Sequence, residues 1–332
     1  MTSIKDVARE AGVSSATVSR VLSNKPHVRH EVRQRVLSAV DALGYRRNRT
    51  ASSLRKQTSQ MIGLLVSDIR NPFFTAVARA IEDAAQDNGM GVFLCNTDED
   101  KEKERHYLNM LLDENVAGII VSPAQEKIEG FTAVLEQNIP LVTIDRRVEG
   151  AHIDCVLSDN IRSTQKVVNH LIEEGYQRIG AVIGLKDSTT GRERMEGYQL
   201  ALLNNGLQFD PALTFYVNPR EQQGYESVKA LLNLPQPPDA ILTGNSRLTI
   251  GALQAIKEAE LSIPHDIALA GFDETNWMPH LGPGITVISQ PTYEMGRTAA
   301  ELLLLRIAEP KRPSREVVLK GQLITRGSTS RS

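Results

Sequence analysis

The segment Ile4–Ser23, IKDVAREAGVSSATVSRVLS, carries two apolar stripes at helical spacing. Ile4, Val7, Ala8 and Ala11 form the first, behind a Ser3 placed to cap the opening turn. Gly12 supplies backbone freedom for a tight turn, and Ser14 is placed to cap a second helix whose inner face holds Val18, Val21 and Leu22. The spacing predicts two short helices meeting at an angle.

What this leaves outside on the second helix is Ser15, Ala16, Thr17, Ser19 and Arg20, a small, hydroxylated and cationic face. Such a face suits a DNA major groove: small residues permit close approach, hydroxyls reach phosphates, and Arg binds a guanine edge through two hydrogen bonds. An ordinary helical hairpin with a polar solvent face fits the same pattern. The next segment, 28–44, places Val32, Val36, Leu37, Val40 and Leu43 on a stripe, with Gly44 to end the helix. His30 is a poor capping residue, so a weak start is expected.

Charge divides the chain. Through residue 60 there are 12 Lys plus Arg against 4 Asp plus Glu, a net of +8, and the remainder has 26 against 36, a net of −10. A polyanion is expected at the basic arm. The 332 residues fit two or three domains. Cys95 and Cys155 lie far apart with no metal-ligand spacing, so buried thiols in a reducing compartment are expected. No signal-peptide pattern precedes Ile4 and no apolar run approaches the roughly 20 residues of a membrane span. A cytoplasmic protein is expected.

From Met61 the texture changes. IGLLV, GVFLC, AGIIV and PLVTI read as buried strands, with helices expected over 73–88 and 101–114. RIGAVI, DAILT and DIALAGF continue the strands, with helices over 160–174, 192–205 and 248–259. Parallel sheets covered by helices, in two lobes of similar build, follow from that alternation. There is no Gly-rich phosphate loop, no paired Cys or His ligand set and no GxSxG elbow. Catalysis is not expected, and neither a cofactor nor a metal is.

The opening segment resembles the helix-turn-helix of the lactose-repressor and galactose-repressor (LacI/GalR) family of bacterial transcription regulators. RQRVLSAVDALGY, SSLR, IGLLVSDIRNPFF, CNTDED, IDR, RMEGY, GFDE and ITRGS extend the resemblance along nearly the whole chain. It implies an all-α helix-turn-helix DNA-binding domain (1–45), a hinge segment (46–60) and a two-lobed α/β body resembling a periplasmic sugar-binding protein. That body spans 61–332, with lobe 1 at about 61–159 plus 291–320 and lobe 2 at about 160–290. A helix over 295–307 is expected to return to the first lobe. No leucine heptads follow Arg315, so a homodimer is expected rather than a tetramer.

Under the resemblance, Ser15, Ala16 and Arg20 read base edges of a near-palindromic double-stranded operator, and Thr17, Ser19, Asn24 and Tyr45 hold phosphates. Leu54, alone in the basic stretch RRNRTASSLRKQTS, corresponds to a leucine that wedges into the minor groove, although composition alone also fits a solvated linker. Arg47 stands where the family usually has Pro, which predicts tighter and more salt-sensitive DNA contact.

The implied effector site lies between the lobes, at the carboxyl ends of the strands. Its candidates are Phe73, Asp145, Arg146, Arg194, Asn245, Asp273 and Gln290. A sugar needs an aromatic face for its C–H surface and carboxylates, amides or guanidiniums for its hydroxyls. Each residue also has a plainer reading: Phe73 as core, Arg146 as surface charge, Asp273 as a turn cap. Pro219 stands where many relatives place a cleft aromatic, Ser246 replaces a common Asp, and Ser188 replaces an Arg found in a purine-responsive relative. These departures favour a small sugar over a flat purine, while Arg146, Arg147 and Arg192 keep a sugar acid or sugar phosphate open. Control by a protein partner and a pure sugar-binding module are the competing readings.

Overall fold

The computed structural model describes residues 2–22, 26, 28–45, 59–150 and 152–331. They form two compact units, divided between Thr58 and Ser59.

The first unit contains α1 (Ile4–Glu10), α2 (Ser15–Leu22) and α3 (His30–Ala42). Ser3 caps α1, and Asp6 completes a capping box by accepting from the Ser3 backbone amide at 2.9 Å. Gly12 turns the chain at φ +62°, and Ser14 Oγ accepts from the Thr17 amide at 3.2 Å to start α2. Val7, Ala8, Ala11, Val18, Val21, Val36 and Ala39 close the core. Leu37 does not join it: it is exposed, because Val36, Ala39 and Val40 define the inward face and Leu37 lies about 100° away on the helix. The weak start of α3 is visible, since Arg29 occupies the cap position without a side-chain cap bond.

The second unit is built on two six-stranded sheets. The first contains β1 (Met61–Val66), β2 (Gly91–Asn96), β3 (Gly118–Val121), β4 (Leu141–Ile144), β5 (Asp154–Ser158) and β11 (Glu316–Leu319), in spatial order β11-β5-β4-β3-β1-β2 and all parallel. The second contains β6 (Ile179–Ile183), β7 (Thr214–Tyr216), β8 (Ala240–Thr243), β9 (Ala268–Phe272), β10 (Thr286–Ser289) and β12 (Gln322–Ile324). Their order is β12-β10-β9-β8-β6-β7, with only β12 antiparallel. The central strands are buried on both faces, which is why they read as unbroken apolar runs.

Helices α4 (Pro72–Asp87), α5 (Lys101–Asp113), α6 (Thr132–Glu136) and α11 (Thr292–Ala308) accompany the first sheet. Helices α7 (Asn160–Glu173), α8 (Thr189–Asn204), α9 (Glu221–Leu232) and α10 (Ser246–Glu258) accompany the second. The chain passes between the sheets after β5, after β10 and after β11. Helix α11 returns to pack on α4 and on β3, β4 and β5. Helix α8 begins at Thr189 rather than Arg192, because Ser188 Oγ caps it by accepting from the Gly191 amide at 3.1 Å. Gly191 is sterically required there: a Cβ would lie 1.9 Å from the Leu185 carbonyl oxygen. Cys95 and Cys155 are both buried free thiols. No described helix is long and apolar enough to cross a membrane.

Candidate functional site

The strand ends of the two sheets face each other across a cleft. Two of them terminate alike: Asp145 follows β4 and Asp273 follows β9, each with left-handed φ (+70° and +68°). Their backbone amides still bond the neighbouring strands, Asp145 to the Val156 carbonyl and Asp273 to that of Ile288, before the chain turns away. Asp tolerates this backbone region where most side chains do not. The result is one buried carboxylate from each lobe pointing into the gap.

All seven candidates expected for the effector line a single cavity there, together with Asp68, Asn71, Phe74, Glu99, Thr190 and Pro219 among others. The space free of protein atoms, open solvent at its mouth included, is about 530 Å³. Phe73 is both core and lining: it is buried in the first-lobe cluster and meets Phe74 edge-on with centroids 5.0 Å apart. Arg146 is not a surface charge, being 5% exposed, with its two terminal nitrogens on the Glu99 carboxylate at 2.6 and 2.7 Å.

On the second lobe, Arg194 lies over the Phe272 ring, guanidinium carbon 4.3 Å from the centroid. Its Nε donates to Asn160 Oδ1 at 2.9 Å and one terminal nitrogen to the Gly244 carbonyl. Asn245 caps α10, its Oδ1 accepting from the Leu248 amide at 2.8 Å. Gln290 Nε2 donates to Asp273 Oδ1 at 2.6 Å, while Gln290 Oε1 is buried without a hydrogen-bond partner. Burial pushes the Asp145 carboxyl up to about 6 against the pull of Arg146 and Arg194, and burial raises Asp273 too, opposed first by Arg194.

Asp68, Asn71 and Glu99 were not singled out from sequence. Their signal was available, because each follows a strand end by a few residues, inside the motifs IGLLVSDIRNPFF and CNTDED. Asp68 is hydrogen-bonded across the cleft by Arg247, which also holds Glu221. At another part of the cleft, Glu126 of the first lobe accepts from Thr189 and Arg192 of the second, and Arg147 donates to Glu193. Arg147 and Arg192 are thus engaged in lobe-to-lobe pairs rather than in lining the cavity.

In the first unit, Ala16 and Arg20 are exposed on α2, and Ser15, Thr17 and Ser19 are half-buried. Thr17 Oγ1 shares a hydrogen bond with Ser14 Oγ at 2.9 Å, and Tyr45 packs partly buried against the helical core. Asn24 and Leu54 lie outside the described residues, as does Arg47.

Residues 3–48 match the model of bacterial regulatory proteins, lacI family, and residues 168–329 that of the periplasmic binding protein-like domain. The HTH-type transcriptional regulator RegA of Clostridium saccharobutylicum is 34% identical over 329 residues, which cover 99% of each chain. The chain belongs to the LacI family. Among solved structures, the lac repressor dimer bound to operator and the anti-inducer ONPF matches this LacI-family chain with a TM-score of 0.88 and 26% identity, over 99% of each chain. A LacI family transcriptional regulator from Enterococcus faecium with bound ribose matches with a TM-score of 0.74 and 30% identity, over 81% of this chain and 98% of its own. This LacI-family protein is a transcriptional regulator with a helix-turn-helix DNA-binding domain, and its relatives are regulators rather than enzymes. Among the described residues no His, Cys, Asp or Glu group could hold a metal ion.

Proposed function

We propose that this regulator is a homodimeric, cytoplasmic repressor of carbohydrate-utilisation genes, controlled by a monosaccharide-type effector between its lobes. The observation that carries the reading is the cavity itself. Buried carboxylates from both lobes, a guanidinium fork and an unpartnered amide oxygen converge at one place. Carboxylates that accept from paired hydroxyls and an Arg that donates to a sugar oxygen are the polar set such a ligand needs. The sugar-bound E. faecium relative supports the same class of ligand.

The DNA half follows from α2. Ser15, Ala16 and Arg20 read base edges, Thr17, Ser19, Asn24 and Tyr45 fix the phosphates, and Leu54 enters the minor groove. Two such heads in a dimer meet half-sites about one helical turn apart. An effector with different affinity for the open and closed lobes shifts the balance between binding-competent and incompetent dimers.

Fluorescence anisotropy on a duplex selected by the full chain from a random pool, with and without millimolar pentoses and hexoses, tests the proposal. One sugar is expected to change DNA affinity at least about tenfold, the usual scale of allosteric coupling. Unchanged affinity with every sugar, or failure to select a near-palindrome, contradicts it.

A further inference from the structure

We infer that the cleft selects an uncharged monosaccharide against sugar acids and sugar phosphates, and that Glu99 is the specificity-determining residue, because it withholds Arg146 from anions. The inference rests on the sugar-effector reading above and narrows its ligand class.

Two guanidiniums line the cavity, and neither has both terminal nitrogens free to grip an anion. Arg146 spends both terminal nitrogens on Glu99, one of them also donating to the Pro123 carbonyl at 2.9 Å, and both side chains of the pair are 6% exposed. A bidentate guanidinium–carboxylate pair is the arrangement a ligand carboxylate or phosphate would itself need. Arg194 is committed to Asn160 and Gly244 and is stacked on Phe272. Against these two cations stand four lining carboxylates, Asp68, Glu99, Asp145 and Asp273. Arg247, which holds Asp68, is shared with Glu221.

Helix N-termini are the other common anion sites, and α4, α8 and α10 all begin at this cleft. Several of their opening amides are already taken. Pro72 has no N–H, and the Phe73 amide donates to Asn71 Oδ1 at 3.0 Å. The Thr189 amide goes to Glu126 and that of Gly191 to Ser188. The Leu248 amide goes to Asn245.

What remains for a ligand is rich in acceptors. Asp145 has its nearest cationic atom, Arg146 Nε, at 3.8 Å. Gln290 Oε1 is buried and unpartnered, and the Asp273 carboxylate, held at Oδ1 by Gln290, is a further acceptor at the cavity wall. Buried Arg146 Nε, also unpartnered, and the remaining terminal nitrogen of Arg194 are the donors. A polyol brings several O–H donors and a ring oxygen, which matches this set. A carboxylate or phosphate brings negative charge toward Asp145 and Asp273 with few donors, at the cost of an unpaired buried charge.

Titration calorimetry on the full chain tests this with three matched sets: glucose, gluconate and glucose 6-phosphate; galactose and galacturonate; ribose and ribose 5-phosphate. One neutral sugar is expected to bind the wild-type chain at least about 100-fold more tightly than its anionic counterparts, the discrimination of a site whose polar groups a wrong ligand leaves unpaired. In Glu99→Gln the gap is expected to narrow about tenfold or more through a gain by the anion, and adding Arg146→Met is expected to remove that gain. An anionic member that binds the wild type as tightly as its neutral counterpart overturns the inference without need of any variant. An unchanged ratio in a Glu99→Gln protein with a normal melting transition overturns the role of Glu99. Binding of no sugar at all overturns the sugar-effector reading, and the selectivity with it.

Discussion

Arg247, in the first turn of α10, is hydrogen-bonded to Asp68, just beyond β1, so one ion pair joins the two lobes across the effector cleft. Only 9% and 12% of these side chains are exposed. With the Glu126, Thr189 and Arg192 contacts they hold the lobes together through the protein's own charges. The equilibrium on which an effector acts is therefore biased before any ligand arrives.

Breaking that tie should loosen the free protein. Arg247→Ala leaves Asp68 without its cross-cleft partner, and opening of the lobes lets the carboxylate rehydrate. Small-angle scattering is expected to give a larger radius of gyration without ligand, and the effector should bind roughly tenfold more weakly because the competent state is less populated. Identical scattering and affinity would show that the pair does not contribute to closure.

Asp273→Asn isolates the charge from the backbone. Asn tolerates the +68° φ that Asp273 adopts, so the turn is kept. Loss of the charged acceptor is expected to weaken the effector about 10- to 100-fold by calorimetry, the scale of a charge-assisted hydrogen bond. The melting temperature of the free chain should change little. Full affinity in the variant would remove Asp273 from the site.

Effector affinity should fall in acid. Burial raises Asp145 to about 6, and a sugar hydroxyl donates to the ionised carboxylate, so binding is full above that value and is lost as pH drops below it. A decline of up to about tenfold per pH unit below 6 is the limiting slope for one proton. Flat affinity between pH 7.5 and 5 would show that Asp145 is not an acceptor for the ligand.

Glu104 predicts a stability effect of the opposite kind. It is fully buried on α5, accepts from the Ala124 amide at 2.6 Å, and burial pushes it up to about 7. Between the ordinary carboxylate value and 7 the native state binds more protons than the unfolded chain, so stability is greatest below that window and is lost as pH rises through it. Glu104→Gln should therefore stabilise the chain by about 1 to 3 kcal/mol at pH 8 and by little at pH 4.5. Thermal melts at the two pH values check this, and destabilisation at pH 8 would contradict it.

Arg20→Ala tests the DNA face. Removal of a bidentate guanine contact is expected to cost about 1 to 3 kcal/mol and to relax preference at one base pair per half-site. Equal weakening on every duplex, measured by anisotropy, would make Arg20 a phosphate contact instead.

Much of this was legible in the sequence where one local rule dominates. Central strands buried on both faces gave unbroken apolar runs, and Asp145 and Asp273 stood out because each directly follows such a run. Strand β5 did not stand out: DCVLS opens on Asp154, whose partners Arg306 and the Arg315 amide lie some 150 residues away. Helix α9 was hidden by Gly224, whose missing side chain serves close packing on Leu248 of α10. Leu37 misled, since a leucine one position off the inward face still fits a loose stripe. For Asp68 and Glu99 the strand-end position was legible, but their pairing with Arg247 and Arg146, residues remote in sequence, was not.

The central claim is that the interlobe cavity binds a sugar, and thermal denaturation of the intact chain in the presence of individual neutral monosaccharides tests it most directly. A ligand that binds only the native state raises the melting temperature with its concentration. One sugar is expected to do so in the wild type and to fail in Asp273→Asn. No shift with any of them, or an equal shift in the variant, would contradict the account.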